Sequence, residues 1–447
     1  MKKQLLTMAI TVFTTAIFAQ TNVITTIAGN GTVGSTGDGG AATAAELSTP
    51  WGIAVDAVGN VYIADQNNHR IRKTTTAGVI STLAGIGTAG YSGDGGAATA
   101  AQLHNPQGVT IDAAGNFYIA DADNQRVRKI NTNGIISTVA GNGTAGYSGD
   151  GAAATAAEVN NPIGVAVDAS GNIYIADGNN SRLRKVNTSG IMSTLAGNGT
   201  FGYNGDGIAA TTAELEYAVA VAVDVTGNVY IVDQNNQRIR KVNTGGIIST
   251  IAGNGTAGHS GDGAAATAAE LNNPRGVAVD AAGNIYIADY SNNRIRKVTT
   301  DGMISTIAGN GTAGYNGDGG LATDAEINLP TDMAVDLAGN LYIADDSNNR
   351  IRKVEWSNTN NIEQFAGNNN QIEIYPNPAT TIIHIELKTK NDIMPIQITD
   401  ILGQEMMHAT LQQDKTSIDV SNLQAGVYFI TTTSKEVTSI NKVIINK

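Results

Sequence analysis

A period of 56 residues, kept through six copies without slippage, limits what this chain can fold into more than any other feature. Ile27-Ala28-Gly29 returns as Leu83-Ala84-Gly85, Val139-Ala140-Gly141, Leu195-Ala196-Gly197, Ile251-Ala252-Gly253 and Ile307-Ala308-Gly309. The block Tyr62-Ile63-Ala64-Asp65 recurs at Tyr118, Tyr174, Tyr230, Tyr286 and Tyr342, and Arg70-Ile71-Arg72-Lys73 recurs from Arg126, Arg182, Arg238, Arg294 and Arg350. Self-similarity of this kind marks one structural unit that buries its apolar surface against its neighbours. It is also an internal control. Residues present in every copy are explained first by the fold, and a single asymmetric function belongs where the copies differ.

One copy shows what the unit is. Gly108 to Ile111 is a β-branched run stopped by the turn cluster Asp112 to Asn116, and Phe117 to Ala120 is a second run ended by Asp121 to Asn124. Arg126 to Ile130 alternates strictly, and Asn131 to Gly134 turns the chain into Ile135 to Ala140. Four short strands with Gly, Asn and Asp turns make an antiparallel meander. Six such units predict an all-β chain built as a six-bladed β-propeller with four-stranded blades, expected over residues 20–354. A solenoid would need distinct capping repeats at its ends, and the first and last copies look like the middle ones. A ring needs only closure. The orphan strand Ile24 to Ala28 is expected to complete the last blade, with Ile362 to Ala366 as the alternative closing strand.

Asn273-Pro274-Arg275-Gly276-Val277-Ala278-Val279-Asp280, running on to Arg294-Ile295-Arg296-Lys297-Val298, resembles the NHL repeat, and the resemblance covers roughly residues 24–354. It implies the propeller fold and leaves the chemistry open, because fold does not fix function.

The two ends read differently from the ring. Lys2 and Lys3 precede a mostly apolar stretch from Leu5 to Phe18, followed by Ala19, which is the pattern of a signal peptide over residues 1–19. A linker is expected over 355–370. From 371 to 447 the chain alternates afresh, which suggests a small β-sandwich. Tyr375-Pro376-Asn377-Pro378, Gly403, Gly426 with Tyr428, and the final Lys447 resemble the C-terminal sorting domain of the type IX secretion system. That resemblance implies export across the outer membrane of a Bacteroidota-type bacterium and makes the secretion machinery a partner. The product is then secreted or attached to the cell surface.

Composition removes several chemistries. There are no cysteines, so thiolate metal sites and Cys nucleophiles are absent. A net charge of −12 argues against a sequence-independent grip on nucleic acid, and no segment after the signal peptide is apolar enough to span a membrane. Asp38, Asp94, Asp150, Asp206, Asp262 and Asp318 precede Glu46, Gln102, Glu158, Glu214, Glu270 and Glu326 by eight residues. Such pairs, for example Asp94 or Asp150 with Glu158, could suit calcium. Asp150 as the cap of a one- to two-turn helix explains them more cheaply, so no metal or cofactor is expected. The Asp65/Arg70 series reads as an exposed cross-hairpin contact worth about 0.2–1 kcal/mol. No Ser-His-Asp set or convergent metal ligands can be assembled, so no catalytic residue is assigned and a metal-dependent lyase or lactonase is the rival reading.

Strand direction puts all the long connections on one face, and binding sites favour loops on rigid scaffolds. There the copies disagree. The residue after the loop proline varies as Trp51, Gln107, Ile163, Val219, Arg275 and Thr331, Tyr217 replaces an Asn, and Asp332 stands where the others have Gly or Ala. The loop aromatic also varies, as Ser35, Tyr91, Tyr147, Tyr203, His259 and Tyr315, and the hairpin loops bring in His69 and Tyr290. Trp51, Tyr217, Arg275, Tyr290 and Asp332 are therefore the candidate ligand-binding residues. The function expected is an exported, non-enzymatic module that binds an extracellular glycan, peptide or protein; a structural or adhesive surface protein is the other alternative.

Overall fold

A computed structural model describes residues 21–357, 372–387, 394–400, 405–411, 415–434 and 437–446. The expected signal peptide, the linker beyond 357, the alternative closing strand at 362–366, Gly403 and Lys447 lie outside the described residues.

Asn22–Trp356 forms one compact unit. Blade 1 is a four-stranded antiparallel sheet of Pro50–Val55, Val61–Asp65, Arg70–Thr74 and Ile80–Ala84, ordered from the channel outward. The same order recurs through blade 5, and blade 6 borrows its outermost strand: Thr21–Ala28 pairs with Arg350–Ser357. The ring therefore closes by zipping its two ends, and Ile24 is fully buried. Second strands such as Val61–Asp65 are buried at all five positions, since neighbouring blades cover both faces. One apolar cluster joins Ile53, Val61 and Ile63 of blade 1 to Tyr342, Ala344 and Ile351 of blade 6.

Local chemistry explains these elements. The turn after each inner strand is tied by one aspartate: Asp56 Oδ1 accepts the N–H groups of Val58 and Asn60, and Oδ2 accepts from the Asn60 amide and the Tyr62 hydroxyl. At the ring's centre the strands crowd. A Cβ on Gly52 would stand 2.2 Å from the carbonyl oxygen of Gln107 in blade 2, so only glycine fits there without displacing backbone.

The long connections depart from expectation. The expected helix is a single 3-10 turn, Ala154–Ala156 in its copy, and its N-terminal cap is Ala153, with no side-chain cap bond. Asp150 is engaged elsewhere. The rest of the connection lies along the outer edge of the following blade: Gly39 N–H donates to Ile80 O, and Ile80 N–H donates to Gly40 O. In blade 4 this contact extends to a fifth strand, Ile208–Ala209. The connections thus cover edges that would otherwise offer unpaired backbone groups.

The tail folds as two sheets. Ile372–Tyr375, Ile382–Leu387 and Lys415–Asp419 form one, and Met394–Thr399, Glu405–Leu411, Gly426–Ser434 and Val437–Ile445 the other. Ile383, Ile385 and Ile418 pack with Ile396, Ile398, Ile430 and Val443 between them. In the strand Glu405–Leu411 the alternation is blurred by Met406, Met407 and His408. Tyr428 is buried and donates its hydroxyl to Gln424 O. Asn377, in the Tyr375–Pro378 motif, accepts the N–H of Ile444 on the last strand.

Candidate functional site

The repeated charges turn out to be structural. Arg72 is fully buried; its NH1 group lies 3.2 Å from Asp65, itself fully buried, and NH2 lies 2.8 Å from the half-exposed Asp38. Arg128, Arg184, Arg240, Arg296 and Arg352 make the same pair of contacts in their copies. This corrects two expectations. Asp65 pairs with Arg72, and the contact is buried. Arg70, directly opposite Asp65 in register, instead donates to Ile86 O. The candidate cation ligands are already neutralised by arginine. Asp94 bonds Arg128 at 2.6 Å and Asp150 bonds Arg184 at 2.7 Å, while Glu158 contributes only its main-chain carbonyl to Arg184. That explains why Gln102 can stand in the series: its carbonyl does the same for Arg128.

The loop aromatics belong to the same assembly. The Arg126 guanidinium stacks 3.7 Å from the Tyr91 ring centre, and the Tyr91 hydroxyl meets Asp94 and, on the outermost strand, Thr138. These tyrosines lie on the blade rims, away from the channel.

Four of the five candidate residues do converge. Arg275 immediately precedes the inner strand of blade 5, Gly276–Val279, and its guanidinium carbon lies 3.5 Å from the ring centre of Tyr290 and 4.6 Å from that of Trp51. Trp51 belongs to blade 1, so the stack bridges the channel mouth past blade 6. Trp51 and Tyr217 pack against the apolar cluster that contains Ile163 and Val219. The Tyr217 hydroxyl accepts from the Asn161 amide, and Tyr217 itself sits at φ +63°. Burial lowers the Arg275 pKa, opposed by the neighbouring Tyr290, Asp346 and Tyr217. Arg275 makes no side-chain hydrogen bond among the described residues, so its donors remain free beside the aromatic rings.

Asp346 was missed by sequence reasoning. It occupies the position in blade 6 that Tyr290 occupies in blade 5, the first residue of the 3-10 turn between the second and third strands. Only 7% of it is exposed, its Oδ1 has no hydrogen-bond partner among the described residues, and burial pushes its pKa up to about 6 against the attraction of Arg275. The signal was available: the column reads Gln66, Ala122, Gly178, Gln234, Tyr290, Asp346.

Asp332 stands apart from this cluster. It lines the central channel, a void of about 250 Å³ whose walls begin at Gly108, Gly164 and Asp332 and pass Ala54, Ala166 and Ala278. Its Oδ2 accepts the N–H of Ile53 at 3.2 Å. The carboxyl keeps partial exposure through the channel, yet protein surrounds it, and that desolvation pushes its pKa up to about 7.

Comparison with known proteins now becomes informative. The family model of the teneurin NHL domain matches residues 22–92, 86–146, 143–204, 199–258 and 253–314. The chain belongs to the teneurin NHL family. Human teneurin-1 is 28% identical over 407 residues, which is 80% of this chain and 14% of teneurin-1, so this NHL protein spans about one-seventh of the length of the curated relatives it matches. A secretion system C-terminal sorting domain matches residues 373–446. The NHL propeller is thus exported by type IX secretion to the cell surface or the medium, and no helix among the described residues is long and apolar enough to cross a membrane. An auxiliary nutrient binding protein from Bacteroides thetaiotaomicron superposes with a TM-score of 0.55 at 19% identity, covering 75% of this chain and 76% of that one. A protein of unknown function from the same organism superposes with a TM-score of 0.56 at 19% identity, covering 75% and 76%. At that identity the likeness establishes fold alone.

Proposed function

We propose that this NHL propeller is an exported, non-catalytic binding module whose long-loop mouth takes a glycan. One observation carries the reading: residues that differ between copies meet at a single place, where free guanidinium donors of Arg275 lie near a buried, unpartnered carboxylate oxygen of Asp346. A sugar hydroxyl can take a hydrogen bond from Arg275, while the buried Asp346 carboxyl attracts the guanidinium from behind. Trp51, Tyr217 and Tyr290 supply apolar walls, as few polar groups amid aromatic surface are the usual makeup of a small-ligand site. The nutrient-binding neighbour with the same fold agrees with this use. A propeller enzyme would need reacting groups at the site, and none of the five mouth residues pairs a nucleophile with a base.

The test is a broad glycan and peptide array probed with the purified protein and with Arg275→Ala. Glycan binding by the wild type, weakened about tenfold or more in the variant, is the expected outcome. Hits confined to peptides would replace the ligand class. A stoichiometric metal linked to lyase or lactonase turnover would overturn the non-catalytic reading.

A further inference from the structure

The opposite, short-turn face holds a concavity of its own. A vestibule of about 510 Å³ is lined by Val55, Asp56, Val58, Ile111, Asp112 and Leu337, and it shares Val55, Ile111 and Val335 with the channel, so the two are continuous. Val58 and Leu337 on its rim, with Val225 on the same ring of turns, are 73%, 86% and 87% exposed. The turn aspartates Asp56, Asp112, Asp168, Asp224, Asp280 and Asp336 encircle this opening. Burial alone would raise their pKa values, but hydrogen bonds from the turn more than offset it in Asp56, Asp112, Asp168, Asp224 and Asp280, keeping them ionised. The lysines of the third strands, such as Lys73, lie one strand farther out, over the Tyr62-type rings.

Beyond this acidic entrance the channel walls are small and apolar. Among the described residues, Asp332 and Thr110 are the only ones with polar side chains lining it. Asp332 has no cationic partner: besides burial, only the backbone N–H groups of Ile53 and Met333 act on it. In all five other copies the position is Gly or Ala, so this carboxyl is no requirement of the fold. Past it, toward the long loops, Trp51 and Arg275 stack across the mouth.

We infer that the channel is a second binding site, entered from the short-turn face, for a primary ammonium group on an unbranched aliphatic stem, with Asp332 as its counter-ion. The acidic ring draws a cation in, the Ala and Val walls accept methylene groups, and Asp332 meets the charge where the channel ends. A carboxyl desolvated without a partner gains most from a cation that fits beside it.

Titration calorimetry of the full chain with n-pentylammonium tests this, with 1-pentanol and calcium as separate probes. Saturable 1:1 binding of the amine is expected, about tenfold or more weaker for Asp332→Asn and for pentanol. Affinity should rise with pH through about 7 as Asp332 ionises. No binding at millimolar amine, equal binding by folded Asp332→Asn, or tighter binding of calcium than of the amine would each overturn the inference.

Discussion

Arg72 and Arg275 are both enclosed by the propeller, and they solve the burial of a guanidinium in opposite ways. Arg72 is held by two carboxylates and a main-chain carbonyl, in a setting copied six times. Arg275 occurs once, is held by the faces of Tyr290 and Trp51, and leaves its hydrogen-bond donors uncommitted. A buried arginine whose charge is cancelled by repeated partners builds the ring. One that is stacked but unpaired is set up to meet something else.

The sharpest way to break this contrast is to truncate both. Arg72→Ala would leave Asp65 buried and uncompensated, and removing one partner of such a pair costs about 3–5 kcal/mol. Equilibrium unfolding in urea should show that loss, with part of it recovered in Arg72→Met/Asp65→Leu, where no buried charge remains. Arg275→Ala gives up only stacking, worth about 0.5–2 kcal/mol, and should spare the fold while weakening glycan binding about tenfold or more. If the two variants lose equal stability, Arg275 is a structural residue like the other.

How much of this was legible in the sequence depended on period. Strand number, blade number and the closing strand Thr21–Ala28 follow from where the repeat is cut, and the structure agrees. The partner of Asp65 was not legible. Register places Arg70 opposite it, and the diagonal preference for Arg72 arises because Asp38, 34 residues earlier, reaches the same guanidinium from the long connection. Convergence of Trp51 with Arg275 was equally hidden, since it depends on side-chain reach across the channel. Variation between copies marks the region where Trp51, Arg275 and Tyr290 meet, but it marks His69 as well.

Asp332 offers a smaller effect whose sign can be worked out. Its folded pKa, about 7, lies above the ordinary 3.8. The folded state therefore prefers the proton, and this contribution is complete below pH 3.8 and lost as pH rises through 7. Asp332→Asn keeps an acceptor for Ile53 N–H and escapes that loss. Relative to wild type it should gain about 1–2 kcal/mol between pH 5 and pH 8, discounted because channel water reaches the carboxyl. Thermal unfolding of both proteins across that range measures the difference, and parallel curves would mean Asp332 is solvated as an ordinary surface acid.

The smallest effect separates variation that carries function from variation that does not. His69 differs from its counterparts Gln125, Ser181, Gln237, Asn293 and Asn349, yet all six do one job. His69 Nδ1 accepts the N–H of Asn105 in the next blade, as Gln125 Oε1 accepts that of Asn161 and Asn349 Oδ1 that of Thr49. Each of these residues sits at φ near +50°, closing the turn between the second and third strands and aiming its acceptor across the blade boundary. Burial, His104 and Arg70 lower the pKa of His69, against a pull from Asp123, so the acceptor persists at neutral pH. This contribution is present above the unfolded pKa of about 6.5 and is lost as pH falls through the lower folded value. His69→Gln should match wild type within about 0.5 kcal/mol at pH 7.5 and resist mild acid better, whereas His69→Ala should cost about 1 kcal/mol at pH 7.5 and less in mild acid, where wild type loses the same bond. Loss of glycan binding in the folded His69→Gln protein would show instead that this variable position, like Arg275, serves a ligand.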